Sequence, residues 1–245
     1  LWRDVKTYQS FAYSVSEGGG GIQVIDLSDV DNGNFPLTNT ITTGGGLSSH
    51  NVAIDTDSGY LYRCGGGGNG LRFYNLINPG TPVFEGSWSD RYVHDAQIVE
   101  MQAGPFAGNQ VAFLCTGNNP VTFDILDVTN KANIVLLGQL QYPGGAYSHQ
   151  GWLSPDQQYF YLGDELDEGP GVPTKTFVID VSDLNSPTLV DEYTNGNNIY
   201  ALLSKDQLNT NKYLHLSVSV RSYRSERVSE FVKAILDLDI NNAKQ

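Results

Sequence analysis

The chain has 245 residues, a net charge of −13 and a charged fraction of only 17%, with 27 glycines, 14 tyrosines and 10 phenylalanines. This length suits one large domain or two small ones, and a hydrophobic share of 40% excludes a disordered chain. The negative charge disfavours a nucleic-acid partner, because a phosphate backbone would be repelled. The longest aliphatic run, residues 134–137, is far too short to span a membrane. Many glycines and aromatic residues favour strands and turns over long helices.

One short motif recurs along the chain at a nearly constant interval. It consists of an apolar strand, an Asp or Asn, an apolar residue and a polar pair. Its key positions are Asp26, Asn75, Asp127, Asp180 and, in a degenerate copy, Asp237, so that successive copies are 49, 52, 53 and 57 residues apart. Each copy is preceded by two further strand-like runs and followed by one more, with Gly, Pro, Asn and Asp in the turns.

The second repeat illustrates the predicted elements. Its strands are expected at 51–54, 60–62, 71–74 and 83–88. Repeated units of four short strands predict an all-β propeller, in which each blade packs against its neighbours. The five blades are expected at approximately 2–43, 47–89, 92–141, 146–193 and 198–245. The fifth ends after its third strand, so we expect a further blade upstream of Leu1 and six blades in the full-length protein.

The last unit differs from the others in charge. Residues 1–202 contain seven Lys and Arg against 22 Asp and Glu, whereas residues 203–245 contain seven against five. We therefore expect the fifth blade to be divergent.

Several strings resemble a known family. The unit ending in 179–183 resembles the LVIVD repeat, and longer strings across residues 1–193 resemble the choice-of-anchor B family of surface β-propeller proteins. These strings are residues 1–8, 23–28, 49–51, 92–97, 149–153 and 163–168. The resemblance implies an extracellular or cell-surface setting with a variable anchor, and it names no enzymatic activity. It also implies a blade before the Trp-Arg-Asp string, whereas residues 198–201 lack the His that opens the last blade in that family.

Three histidines stand at matching places in the repeats. His50, His94 and His149 each open the first strand of a unit, and Asp4 is expected at the same place in the first unit. First strands are innermost in a propeller, so these residues and Asp95 would meet at one mouth of the central channel. Imidazoles and carboxylates there would suit Zn, Cu or Fe. Alternatively, the histidines hydrogen-bond the neighbouring blade and hold the ring together.

A second candidate site is acidic. Four carboxylates follow the second strand of the fourth unit, namely Asp164, Glu165, Asp167 and Glu168, and Glu17 has the equivalent position in the first unit. Such a run would suit Ca²⁺, which prefers oxygen ligands. It could also contact a sugar or a basic partner, or be a solvated acidic loop.

The positions of the cysteines argue against a disulfide, and the glycine runs argue against a nucleotide-binding loop. Cys64 and Cys115 occupy matching positions of adjacent blades, about 10 Å apart, which is too far for a disulfide, so two buried free thiols are predicted. The glycine runs are not followed by Lys-Ser/Thr and a helix, so no nucleotide cofactor is expected.

These observations favour a non-enzymatic recognition or scaffold module at the cell surface, with a divalent metal as a candidate cofactor. Its partner would be a protein or glycan ligand, or a second copy of the chain, with no nucleic acid and no transmembrane segment in this chain. The alternative is a metal-dependent oxidase or hydrolase that uses the histidine cluster.

Overall fold

A computed structural model describes residues 2–66, 70–167 and 173–194. Within this part of the chain, four sheets each consist of four consecutive antiparallel strands, paired in chain order. The first sheet contains β1 (Arg3–Tyr8), β2 (Phe11–Ser16), β3 (Ile22–Asp26) and β4 (Leu37–Ile41). The second contains β5 (Asn51–Asp55), β6 (Tyr60–Cys64), β7 (Leu71–Asn75) and β8 (Val83–Trp88).

The next two sheets repeat this arrangement. The third contains β9 (Asp95–Glu100), β10 (Gln110–Cys115), β11 (Phe123–Asp127) and β12 (Val135–Leu140). The fourth contains β13 (Ser148–Leu153), β14 (Tyr159–Asp164), β15 (Thr176–Asp180) and β16 (Thr188–Tyr193). The predicted fold class is therefore confirmed, with one blade in each of the first four predicted units. The fifth unit, 198–245, lies outside the described residues, and the six-bladed ring stays a prediction.

Three hydrophobic clusters join the blades. The first joins blades 1 and 2 through Tyr13, Val52 and Tyr74, and the second joins blades 2 and 3 through Tyr62, Phe73 and Leu114. The third joins blades 3 and 4 through a group of aromatic rings: Phe113, Phe123, Phe160 and Phe177. Burying each such side chain contributes about 1.5–3 kcal/mol. Packing between blades therefore fixes the relative positions of their inner strands.

Each outer strand that the structure describes carries one irregularity, and β12 packs closely on the next blade. The register between the third and fourth strands shifts once in each of the four described blades, for example between Ile125 and Leu126. Gly138 in β12 shows the close approach, because a Cβ at this position would lie 2.2 Å from the carbonyl oxygen of Leu184 in blade 4. The turn after the recurring Asp motif thus packs on the preceding blade.

Polar side chains link the innermost strands. The Val52 amide donates to the Asp4 carboxylate at 3.2 Å, and the Asn51 side-chain amide donates to Asp95 at 2.7 Å. The Leu153 amide donates to the Gln97 side chain at 2.7 Å. Because these bonds connect β1 to β5, β5 to β9, and β9 to β13, the inner strands lie side by side and their first residues share one end.

Two further predictions can be compared with the described residues. Cys64 and Cys115 are buried free thiols, as predicted. No helix in this part of the chain is long and apolar enough to cross a membrane.

Candidate functional site

The structure brings the three predicted histidines together at one end of the inner strands. His50 directly precedes β5, His94 directly precedes β9, and His149 is the second residue of β13. The ring centroids of His50 and His94 are 3.9 Å apart, and those of His94 and His149 are 4.6 Å apart. His94 is therefore the central ring of a row that crosses three blades.

His94 both joins two blades and presents a ligand atom. Its Nδ1 lies 2.7 Å from the carbonyl oxygen of His149, so Nδ1–H donates across the boundary between blades 3 and 4. The Nε2 lone pair then remains available as a metal ligand, in the arrangement usual for metal-bound histidine. Burial, followed by the neighbouring His50 and His149 rings, lowers the pKa of His94 to about 3, so the ring is neutral at physiological pH.

His149 and Glu165 complete a set of three donors with His94. One ligand atom from each of the three residues lies within 4.8 Å of the other two. The Nε2 of His149 is 3.7 Å from the Oε2 of Glu165, close to the spacing of about 3.4 Å between donors on a tetrahedral ion with bonds of about 2.1 Å. Two imidazole nitrogens and a carboxylate oxygen suit Zn, Cu or Fe.

A β-bulge aims His149 at this set. Ser148 pairs with Asp164 and Gln150 pairs with Gly163, so His149 is the extra residue between two pairs. A bulge of this kind redirects a side chain relative to a regular strand. Burial lowers the pKa of His149, although the Glu165 carboxylate opposes this shift.

His50 has a different partner. Its Nδ1 lies 2.7 Å from the Oε1 of Glu17, which is a direct hydrogen bond and too short for two donors on one ion. The His50 ring contacts His94 at a tilt of 41° and lies 6.3 Å from the Trp2 ring, centroid to centroid. His50 thus supports His94 rather than joining the ligand set.

The predicted place of Asp4 is off by one residue. Asp4 pairs with Val15, as Asn51 pairs with Cys64 and Asp95 with Cys115. Asp4 therefore matches the residue after each histidine. Adjacent residues of a strand point to opposite faces, so a shift of one residue turns the side chain away.

The carboxylates of Asp4 and Asp95 belong to contacts between blades rather than to the histidine cluster. Asp4 accepts a hydrogen bond from Lys6 Nζ at 2.7 Å as well as from the Val52 amide, and Asp95 accepts from the Asn51 side chain. Burial disfavours the charged form of Lys6, but the charge and hydrogen bond of Asp4 together with the charge of Asp95 raise the pKa of Lys6. Burial raises the pKa of Asp95 to about 6.

The acidic run does not act as one array. Asp164 is buried and accepts hydrogen bonds from the Tyr142 hydroxyl and from the amides of Ala146, Tyr147 and Leu166. Asp167 accepts from the Lys175 amide, Glu165 faces His149, and Glu168 lies outside the described residues. Because Asp164 is needed to satisfy loop amides, the expected Ca²⁺ site lacks its first ligand.

Two tyrosines that the sequence reasoning did not select flank the site. The Tyr147 ring stands edge-on to His94 with centroids 5.1 Å apart, and the Tyr92 centroid lies 6.4 Å from His94. A Tyr-x-His pattern at 92–94 and 147–149 is the signal that could have found them. Gly117, with φ +72°, fits beneath both rings, since a Cβ there would lie 3.1 Å from Tyr92 and 3.3 Å from Tyr147.

A cavity adjoins this end of the inner strands. It has a volume of about 590 Å³ and is lined by residues 90–92, residues 118–120 and Tyr147. This volume lies in the usual range for small-molecule sites. Tyr92 and Tyr147 line the cavity and also contact the His94 ring, so the cavity and the histidine cluster share a wall.

Comparison with known proteins supports the fold. The chain matches no protein-family model and no curated protein. Among solved structures, it is similar to a predicted 6-phosphogluconolactonase of Bacteroides fragilis at 10% identity, with a TM-score of 0.60 over 78% of this chain and 54% of that one.

Two further solved structures give the same result. A protein of unknown function from Desulfotomaculum acetoxidans is 17% identical, with a TM-score of 0.58 over 80% of this chain and 57% of that one. A Lactobacillus plantarum protein is 13% identical, with a TM-score of 0.57 over 79% and 55% of the two chains. The chain spans about half the length of these structures. These similarities show a propeller-like fold, and function has to be argued from the site.

Proposed function

We propose that this chain is a β-propeller binding module that holds a divalent transition metal between His94, His149 and Glu165. The observation that carries the proposal is the spacing of the three ligand atoms, all within 4.8 Å of one another. The hydrogen bond of His94 adds to it, because the His149 carbonyl oxygen accepts from Nδ1–H and leaves the Nε2 lone pair available to a metal.

The electrostatics of the set support a cation. Two neutral imidazoles and one carboxylate would carry a single negative charge before the metal binds, and His94 needs no deprotonation at physiological pH. Three protein donors leave a fourth position open on a tetrahedral ion. The proposed metal could therefore accept one further donor from a ligand in the adjoining cavity.

The proposed setting is extracellular or at the cell surface, as the resemblance to the choice-of-anchor B family implies. In that setting the module would recognise a ligand with its channel mouth rather than catalyse a reaction. A metal-dependent oxidase or hydrolase is the second candidate. The open metal position beside a polar cavity favours this enzyme. To test for it, chromogenic esters or diphenols are offered to zinc- or copper-loaded protein. Turnover that is lost in Glu165→Gln would establish the enzyme over the binding module.

Matched glutamate variants test the metal site. We expect purified protein loaded with Zn²⁺ to retain one equivalent, measured by elemental analysis, and to bind it in a calorimetric titration. Glu165→Gln should weaken zinc binding by more than about tenfold, since it removes a ligand rather than an outer hydrogen bond. Glu17→Gln, at the equivalent position of blade 1, should change it by less than about twofold.

Two results would contradict the proposal. One is the finding that the purified protein retains none of Zn²⁺, Cu²⁺ and Fe²⁺ in a stoichiometric amount. The other is an equal loss in both variants, which would assign the binding to the general charge of the channel mouth.

A further inference from the structure

The cavity beside the histidine cluster is lined by one cationic side chain, Arg91, which a buried carboxylate holds in place. The Arg91 Nε lies 3.0 Å from the Oδ2 of Asp124, whose side chain is fully buried. Gln139 donates a hydrogen bond to the other oxygen of Asp124 at 3.0 Å, which holds the carboxylate in place. Asp90, next along the cavity wall, is exposed and adds one negative charge.

This arrangement excludes strongly charged ligands. Asp124 offsets the guanidinium of Arg91, so an anion gains little from it, and Asp90 and the chain's net charge of −13 oppose an anion further. A cation would meet the carboxylate of Asp90, but this side chain is exposed, so solvent screens its charge and the attraction is weak. The charges of the lining thus favour a ligand without net charge.

The remaining lining supplies hydrogen bonds in both directions together with flat apolar surfaces. Asn118 and Asn119 each offer a carbonyl oxygen and an amide. The hydroxyls of Tyr92 and Tyr147 are hydrogen-bonded to each other and keep one hydroxyl hydrogen and further lone pairs for a ligand. The tyrosine rings offer apolar faces beside these groups. A ligand that matches this lining carries many hydroxyl groups, each both donor and acceptor, on a compact ring with C–H faces.

From these observations we propose that the cavity lined by residues 90–92, residues 118–120 and Tyr147 binds a small neutral saccharide. This inference deepens the proposed function and rests on it only for the position of the metal. The two tyrosines would place a sugar hydroxyl next to His94, His149 and Glu165. The sugar would then supply the fourth donor to the metal.

The test uses saturation-transfer NMR and calorimetry on the zinc-loaded chain. The neutral probes are glucose, galactose, mannose, N-acetylglucosamine and their disaccharides, and the charged probes are glucose 6-phosphate and glucosamine. We expect at least one neutral probe to bind, and to bind more tightly than its charged counterparts. Asp90→Ala and Asn118→Ala should each weaken that binding by about three- to tenfold, as expected for one lost hydrogen bond.

The matched control is Asn133→Ala, an exposed asparagine before β12 that does not line the cavity. It should bind the same probe as tightly as the unmodified chain. Absence of binding for every neutral probe would overturn the inference, as would tighter binding of glucose 6-phosphate or equal affinity in the lining variants.

Zinc content measured on the same samples separates the two proposals. Protein that binds zinc but no sugar would contradict only the saccharide site. Protein that binds a sugar in this cavity but no zinc would contradict the metal site and leave the saccharide site established.

Discussion

Two His–Glu pairs flank the central His94, and they differ in a way that decides their roles. Glu17 and Glu165 each follow the second strand of a blade, and each amide donates to a carbonyl at the start of that blade's inner strand, Trp2 or Tyr147. Glu17 forms a direct hydrogen bond with His50 at 2.7 Å, whereas Glu165 lies 3.7 Å from His149. The two equivalent glutamates therefore differ. Glu17 forms a direct hydrogen bond with a histidine, whereas Glu165 and its histidine keep the spacing expected of two ligands on one metal ion.

The cause of the difference lies in the inner strands. In blade 1 the register places Arg3, not a histidine, at the position before Asp4, so Glu17 reaches the histidine of the next blade. In blade 4 the histidine and the glutamate belong to the same blade, and the bulge at His149 holds their side chains apart. The extra residue in β13 therefore distinguishes the candidate ligand pair, His149 and Glu165, from the structural pair in blade 1.

The largest effect is expected from removal of the His94 ring, which lies between the two pairs. In His94→Ala, zinc should no longer raise the melting temperature, whereas the unmodified chain at 100 times its dissociation constant should gain about 2.7 kcal/mol of stability. His50→Ala removes the neighbouring ring without removing a predicted ligand, so zinc should still stabilise it. Calorimetric melting with and without zinc measures both variants, and zinc stabilisation of His94→Ala would place the metal elsewhere.

A smaller effect is expected from the carboxylate that shapes the loop before His149. Asp164→Asn replaces an acceptor of four hydrogen-bond donors with a group that has one acceptor oxygen, which should cost about 1–3 kcal/mol of folding stability. Zinc affinity should fall with it, because Tyr147 and Glu165 lose their support.

Asp156→Asn is the control for this substitution, since Asp156 is exposed and bonds only its own turn. Urea denaturation of both variants gives the comparison. Equal stability of the two would show that Asp164 does not organise the loop.

The smallest effect concerns the tyrosines. Gly117→Ala and Gly104→Ala both place a side chain at positive φ, at +72° and +78°, and both should lose about 1–2 kcal/mol for that reason. Only Gly117 lies against Tyr92 and Tyr147, while nothing lies within 4 Å of a Cβ at Gly104. Zinc affinity should therefore fall modestly in Gly117→Ala alone. An unchanged zinc affinity in Gly117→Ala would show that the two tyrosines do not position the metal ligands.

Much of the fold could be predicted from the repeats. In the second unit the repeat pattern predicts strands at 51–54, 60–62, 71–74 and 83–88, and the observed strands differ from these by no more than two residues at any end. The pattern succeeds here because Asp and Asn at the end of each third strand bond their own following turn, as Asp127 bonds the Thr129 amide. Such local signals need no knowledge of the neighbouring blades.

The site could be predicted only in part. Its three histidines followed from their matching places, but the alignment of Asp4 with them required the register of β1, and a shift of one residue reverses a side chain. The run at 164–168 contained a ligand, Glu165, beside a buried structural residue, Asp164, and residue type alone does not distinguish them. The bulge at His149 depends on tertiary pairing and leaves no signal in the sequence.

Zinc K-edge X-ray absorption of the loaded protein reads the ligands of the metal directly. Zinc held by His94, His149 and Glu165 should show a first shell of two imidazole nitrogens and at least one oxygen at about 2.0–2.2 Å, with one imidazole lost in His149→Ala. A shell of three imidazoles would include His50 and contradict the distinction between the two pairs, and a shell of oxygens alone would contradict the metal site itself.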